Sequence, residues 1–129
     1  MLDKKSLLYL NKHELGRFAT ASKDCMPHVT PVVYAMDGED VVVAVDYGTK
    51  KLANLKANPQ AALTVDSSRP NGGVMIQGKC LIYERGQEYL RLQKILFERF
   101  DFYRKNPWGE GESPILKVVP SKVVSWGLK

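Results

Sequence analysis

Residues 41–59 read VVVAVDYGTKKLANLKANP, and this stretch organises the chain. Val41 to Val45 are small or β-branched and predict a strand. Asp46-Tyr47-Gly48-Thr49 predicts a tight turn, and Lys50 to Ala57 a short helix that stops at Asn58-Pro59. The first N–H groups of a helix have no intrahelical partner and point at whatever precedes it. Two ammonium groups and a hydroxyl beside those N–H groups make a seat for a phosphate. The same residues also fit a plain Thr49 N-cap with a solvated lysine pair. Cations in a first turn oppose the helix dipole, and an anion there would cancel that cost.

The rest of the chain sets bounds on this corner. With 129 residues, one domain over 1–129 is expected. No apolar run approaches the ~20 residues needed to span a bilayer, and the N-terminus lacks an apolar signal core. A cytoplasmic protein without membrane contact is the expectation. The formal charge of +5 suits an anionic partner, a phosphorylated small molecule or nucleic acid, or simply a soluble surface. Cys25 and Cys80 form no C-x-x-C pair and read as two reduced, buried thiols. His13 and His28 are the only histidines, so no metal site is expected.

In chain order, residues 3–15 predict a helix capped by Asp3 and stopped at Gly16. Residues 17–22 alternate as a strand, and residues 28–36 (HVTPVVYAM) form a second. Pro31 cannot donate to a ladder, so the second strand is interrupted, bulged or at an edge there. Asp37-Gly38 is a hairpin turn into a third strand, residues 40–45. In the short helix Leu52 and Leu55 face inward, while Lys51, Asn54 and Asn58 face out. Residues 61–66 and 74–84 are further strands around a turn-rich loop, 67–73, with a bend at Gly78. Residues 86–105 form the longest helix, whose face of Tyr89, Leu92, Leu96, Phe100 and Tyr103 packs on the core. The loop at 106–113 carries Trp108 and either covers a site or simply connects. The last strand, 114–127, is broken at Pro120. Hairpins with two helical interruptions predict a mainly β (α+β) fold, an antiparallel six-stranded barrel with flanking helices.

Four pieces in this order and spacing resemble the pyridoxamine 5′-phosphate oxidase-like family of flavin-binding split β-barrels. They are Pro27-His28-Val29-Thr30-Pro31-Val32, Ala44 through Lys51, Val74-Met75-Ile76-Gln77-Gly78-Lys79, and Pro120 followed by Trp126-Gly127. The resemblance runs from Gly16 to Gly127. It implies a homodimer with two FMN sites at the subunit interface. Lys50 and Lys51 would hold the phosphate, and Thr49 would add a hydroxyl hydrogen bond. Thr30, Pro31 and Val32 would run along the ring and ribityl chain, and Ala44 and Val45 would flank them. The family's Arg-x-His substrate motif does not follow Trp126-Gly127, and its strand-two arginine is matched by Thr30. A contacting glutamine falls near Gly73. The resemblance therefore implies a flavin site without vitamin B6 oxidation.

Three function classes follow. The first is an FMN-dependent oxidoreductase acting on a small-molecule substrate, in which the cofactor carries the redox chemistry and the chain supplies position and electrostatics. The deazaflavin F420 is the alternative cofactor of that class. No catalytic side chain is assigned, although His28 or Tyr34 can donate a proton. The second class is a non-catalytic flavin-binding or electron-carrier protein. The third, a nucleic-acid-binding barrel, lacks an array of tyrosines with basic residues and is set aside. Haem, bound by some relatives, finds no evident axial ligand in the sequence.

Overall fold

The computed structural model describes all residues, Met1–Lys129. In chain order it contains α1 (Lys4–Lys12), β1 (Leu15–Ala21), β2 (Pro27–Val33), β3 (Ala35–Asp37), β4 (Asp40–Ala44) and α2 (Lys50–Ala57). There follow β5 (Gln60–Ser68), β6 (Asn71–Tyr83), α3 (Gln87–Arg99), α4 (Asp101–Lys105) and β7 (Ile115–Trp126). The strands form one antiparallel sheet in the order β2-β1-β5-β6-β7-β4-β3. The edge strands β2 and β3 are consecutive in the chain, joined only by Tyr34. The sheet therefore curls until its two edges meet, and the antiparallel split barrel expected from sequence is present.

The strand count is seven, where six are expected, because residues 28–36 do not make one strand. The segment pairs with β1 as far as Val33 and with β4 from Ala35 onward. No glycine or proline marks the change of partner at Tyr34. Barrel closure sets it, and the Tyr34 hydroxyl pins it by donating to the carbonyl of Leu10 at 2.6 Å. Pro31 resolves as an edge residue rather than a bulge, because β2 lies at one end of the sheet order.

The Val41-Val42-Val43 run is buried on both faces. Val41 and Val43 point into the barrel with Phe18, Leu63, Val65, Ile76, Leu116 and Val118. Val42 points outward under α3, where it meets Tyr89, Leu92, Leu96, Phe100 and Ile115. A strand covered on both sides reads as a continuous apolar run, which is why this stretch is so uniformly valine. Each such fully buried side chain contributes about 1.5–3 kcal/mol relative to exposure.

The helices match expectation unevenly. α2 occupies the predicted residues, and Leu52 and Leu55 are buried as expected. Asn54 is not outward: it is buried and donates to Thr20 Oγ1 at 3.0 Å, which ties α2 to β1. α1 stops at Lys12, so Leu15 and Gly16 belong to β1, and Gly16 is no helix stop. The Asp3 cap is present, accepting from Ser6 N at 2.8 Å. The long helix breaks at Phe100 into α3 and α4, while its apolar face packs on the core as predicted. Cys25 is exposed rather than buried, and Cys80 is buried. The loop expected at 67–73 contracts to a two-residue turn, since β5 and β6 pair up to Ser68 and Asn71.

Gly78 is the predicted bend. The β6–β7 register shifts between Gln77 and Gly78, opposite Pro120. A Cβ at Gly78 would lie 1.9 Å from the Val119 carbonyl oxygen, so only glycine allows the two strands to approach there. No helix is long and apolar enough to cross a membrane.

Candidate functional site

The place where the curled sheet fails to close is a cavity of about 560 Å³. Its position follows from the ladder pattern. The Tyr34 N–H donates to the Glu14 carbonyl at 3.1 Å, so Glu14 and Tyr34 are a hydrogen-bonded pair. Pair types alternate along an antiparallel ladder, which makes Val33 and Pro31 non-hydrogen-bonded positions opposite β1. Their backbone groups point away from β1, toward the open edge. Likewise the Val45 N–H donates to the Pro114 carbonyl at 3.0 Å, so Ala44 presents its N–H and C=O away from β7. Continuing the β3–β4 register would place Val33 opposite Ala44, but the strands part after Ala35 and Val42. Two backbone edges thus face one another across a gap, without sheet partners on that side. Pro31 has no N–H to leave unsatisfied there, which suits it to this edge.

The corner at 46–51 forms one end of the cavity. Gly48 turns the chain with φ +83°, a conformation that favours glycine. Thr49 occupies the N-cap position of α2, yet its side chain makes no cap hydrogen bond. Its hydroxyl instead donates to the Asp46 carbonyl at 2.9 Å. The first turn of α2 has no acidic residue and no side-chain cap, so the plain N-cap reading of Thr49 does not hold. An uncapped helix start beside Lys51 is an arrangement that an anion satisfies.

Of the eight residues proposed from sequence, Pro31, Val32, Ala44, Val45, Thr49 and Lys51 line this cavity. Lys50 is exposed and lies outside the lining. Thr30 also lies outside it, one inward position along β2 from Val32, and its Oγ1 is buried with no hydrogen-bond partner.

The opposite wall was not assigned from sequence. Phe102 and Tyr103 of α4, then Asn106, Trp108, Glu112 and Ser113, complete the lining, with Val33 and Asp46 on the barrel side. Burial, with the nearby Asp46 carboxylate adding to it, holds the Tyr103 phenol above its ordinary range, so it stays protonated. The Trp108 loop forms part of this wall and is packed in place. Trp108 packs edge-on against Phe97, Tyr89 and Tyr103, and its carbonyl accepts from Gln93 Nε2 at 2.5 Å. The Tyr89 hydroxyl donates to the Ser113 carbonyl at 2.6 Å, and Ser113 Oγ donates to the Val45 carbonyl at 2.7 Å. The only sequence signal for this wall is the Gly/Pro-rich loop itself. Nothing in the apolar stripe of 86–105 announces the break at Phe100 that turns α4 toward the cavity.

Comparison with known proteins fits this geometry. The haem storage protein HutZ from Vibrio cholerae superposes with a TM-score of 0.82 at 14% identity, over 95% of this chain and 93% of that one. A haem-binding protein from Mycobacterium smegmatis gives 0.81 at 15%, over 100% of this chain and 58% of that one. An F420 reductase gives 0.72 at 24%, over 95% and 98%. At these identities the likeness is one of fold. None of the curated proteins matches the chain in sequence. The family model described as pyridoxamine 5′-phosphate oxidase matches residues 2–127, nearly the whole barrel with the split and its corner, and the chain belongs to that family.

Proposed function

We propose that this chain is an FMN-binding oxidoreductase for a small-molecule substrate, with the cofactor phosphate at the first turn of α2 and its ring in the split. The observation that carries the reading is a coincidence of needs. The uncapped start of α2 and the Lys51 side chain open onto the same cavity as the unpaired backbone edges at Val33 and Ala44. A phosphate satisfies the first and a planar heterocycle with donors and acceptors on its rim satisfies the second. The volume of about 560 Å³ lies within the range for organic-ligand sites.

In this reading Lys51 and the first backbone N–H groups of α2 bind the phosphate. Thr49, its hydroxyl engaged by the Asp46 carbonyl, orders the turn that aims those N–H groups. Asp46 and Glu112 also line the cavity, so a single lysine faces two carboxylates, and the anion is confined to the α2 end. Phe102 and Trp108 screen the ring from water, and the protonated Tyr103 hydroxyl offers a hydrogen bond from the far wall. FMN, when bound, supplies the hydride and electron transfer, for which the chain needs no acid or base of its own.

We further propose that two copies pair over the exposed sheet surface, where Leu15, Val29, Val124 and Trp126 present apolar side chains to solvent. Sedimentation would then give a dimer at micromolar concentration.

Cofactor class is tested by the visible spectrum of the purified protein and the mass of the released chromophore. FMN is expected, and F420 would place the chain in the deazaflavin branch of the same reading. Haem is the competing reading, favoured by the names of two structural neighbours. No His, Cys or Met lines the cavity, leaving the Tyr103 phenol as the side chain nearest in kind to an iron ligand. A Soret band with an unchanged spectrum in Lys51→Ala would replace flavin by haem. Reoxidation of the reduced protein only by a protein partner would make it an electron carrier rather than an enzyme.

A further inference from the structure

A second cavity of about 340 Å³ opens where α1, the β5–β6 turn and the residues after β7 meet. It shares no lining residue with the split. One face of α1 and its C-cap residue form its longest wall: Lys5, Leu8, Tyr9 and Lys12 at helical steps of three and four, then His13. The buried face of the same helix carries Ser6 and Leu10. α1 thus turns one stripe to the core and an adjacent stripe to this cavity, with Tyr9 packing on both.

The chemistry of the second stripe is specific. Lys5, Lys12 and Lys129 bring three ammonium groups to the cavity, and no Asp or Glu side chain lines it. None of the three makes an ion pair, although Lys94, Lys105 and Lys117 elsewhere do. Between them the Tyr9 and His13 rings stack, with centroids 4.1 Å apart and planes inclined by 28°. The stack is held at both ends. His13 Nδ1 lies 2.7 Å from the Tyr9 carbonyl, an acceptor, so that nitrogen carries a proton. The Tyr9 hydroxyl donates to the Gly72 carbonyl at 3.2 Å, across to β6. The result is an aromatic wall held at both ends among three cations that make no ion pair.

We propose that this cavity binds a small anion bearing a flat ring, a phosphorylated or carboxylated aromatic compound, with its charge on Lys5 and Lys12 and its ring against the Tyr9–His13 stack. The site is independent of the split, and its test does not require a cofactor there.

The probes are inorganic phosphate and phenyl phosphate, titrated into the full-length protein by calorimetry and by proton shifts of the His13 and Tyr9 rings. Phenyl phosphate should shift both rings saturably and bind at least tenfold more tightly than phosphate. Lys5→Glu with Lys12→Glu, both exposed positions that leave the core intact, should weaken phenyl phosphate by at least tenfold. Tyr9→Leu should bring the two probes within about threefold of each other at the His13 ring, and Lys51→Ala, which alters only the split, should leave the His13 and Tyr9 ring shifts with both probes unchanged. Absence of ring shifts, equal ring titrations in the double lysine variant, or loss of the ring shifts in Lys51→Ala would each overturn the proposal. The last result would assign the probe to the split instead.

Discussion

The β6–β7 seam and the split between β2 and β4 are built from similar valine-rich strands, and they end in opposite ways. Along the seam, pairing runs from Gly73↔Trp126 to Tyr83↔Ile115, and even the proline at 120 is absorbed by one bulge, at Ser121 opposite Gly78. Across the split, Val33 and Ala44 face one another without a ladder. Strand chemistry does not decide between these outcomes. The direction of the neighbouring chain does: beyond Ala44 the corner at Gly48 turns it into α2, and before Ala35 the segment is held by β1. A seam satisfies its backbone from within, whereas a split leaves that work to a ligand.

The seam is the easier of the two to break. Gly78→Val should cost at least about 3 kcal/mol, because its Cβ would overlap the Val119 carbonyl and neither backbone can retreat without undoing the bulge. A thermal melt should show a large fall or no folded protein. The split should tolerate change in stability but not in binding. Lys51→Ala should weaken FMN by about 2 kcal/mol, or roughly thirtyfold, and move the melting point little. Lys50→Ala, outside the cavity, should stay within about threefold, which sharpens the assignment to one lysine of the pair.

The frame joining seam and split comes next in size. Ser113→Ala removes the buried hydrogen bond to the Val45 carbonyl and should cost about 1–2 kcal/mol in chemical denaturation. Asp46→Asn should act in the opposite direction on binding, tightening FMN a few-fold by removing a carboxylate from the same cavity.

The smallest effect is electrostatic and sits on the surface where α3 meets Lys117 of β7. Glu88 accepts from Arg91 and Lys117, and these bonds pull its carboxyl down to about 2 from an ordinary value of 4.5. A depressed carboxylate stabilises the fold fully above the ordinary value, and that contribution is lost as pH falls from there toward about 2. The group is on the surface, so the amount is at most about 1 kcal/mol. Glu88→Gln should show a correspondingly flatter acid limb in stability against pH.

These contrasts also explain what the sequence makes legible. The corner was readable because each of its parts is a local signal: the valine run, Gly48, the lysine pair, and the Asn58-Pro59 stop. The bend at Gly78 and the face of Tyr89, Leu92, Leu96 and Phe100 were readable for the same reason. The change of partner at Tyr34 was not, because it depends on closure of a sheet whose edges lie far apart in sequence. Asn54 looked outward by polarity, yet Thr20, from β1, gives it a buried partner. The α4 wall stayed hidden because Phe100 remains in the core while the helix breaks there, so periodicity alone continues through the break. Asp46 lies inside the same stretch, but its sequence context signals only a turn.

The central claim is that an anion at the start of α2 anchors the cofactor, and comparing FMN with riboflavin isolates that anion. Titrated into the cofactor-free protein, FMN should bind about a hundredfold more tightly than riboflavin, the worth of two charge-assisted contacts, and the gap should shrink to below about tenfold in Lys51→Ala. Equal affinities for the two in the unaltered protein, or a gap that Lys51→Ala leaves intact, would contradict the account.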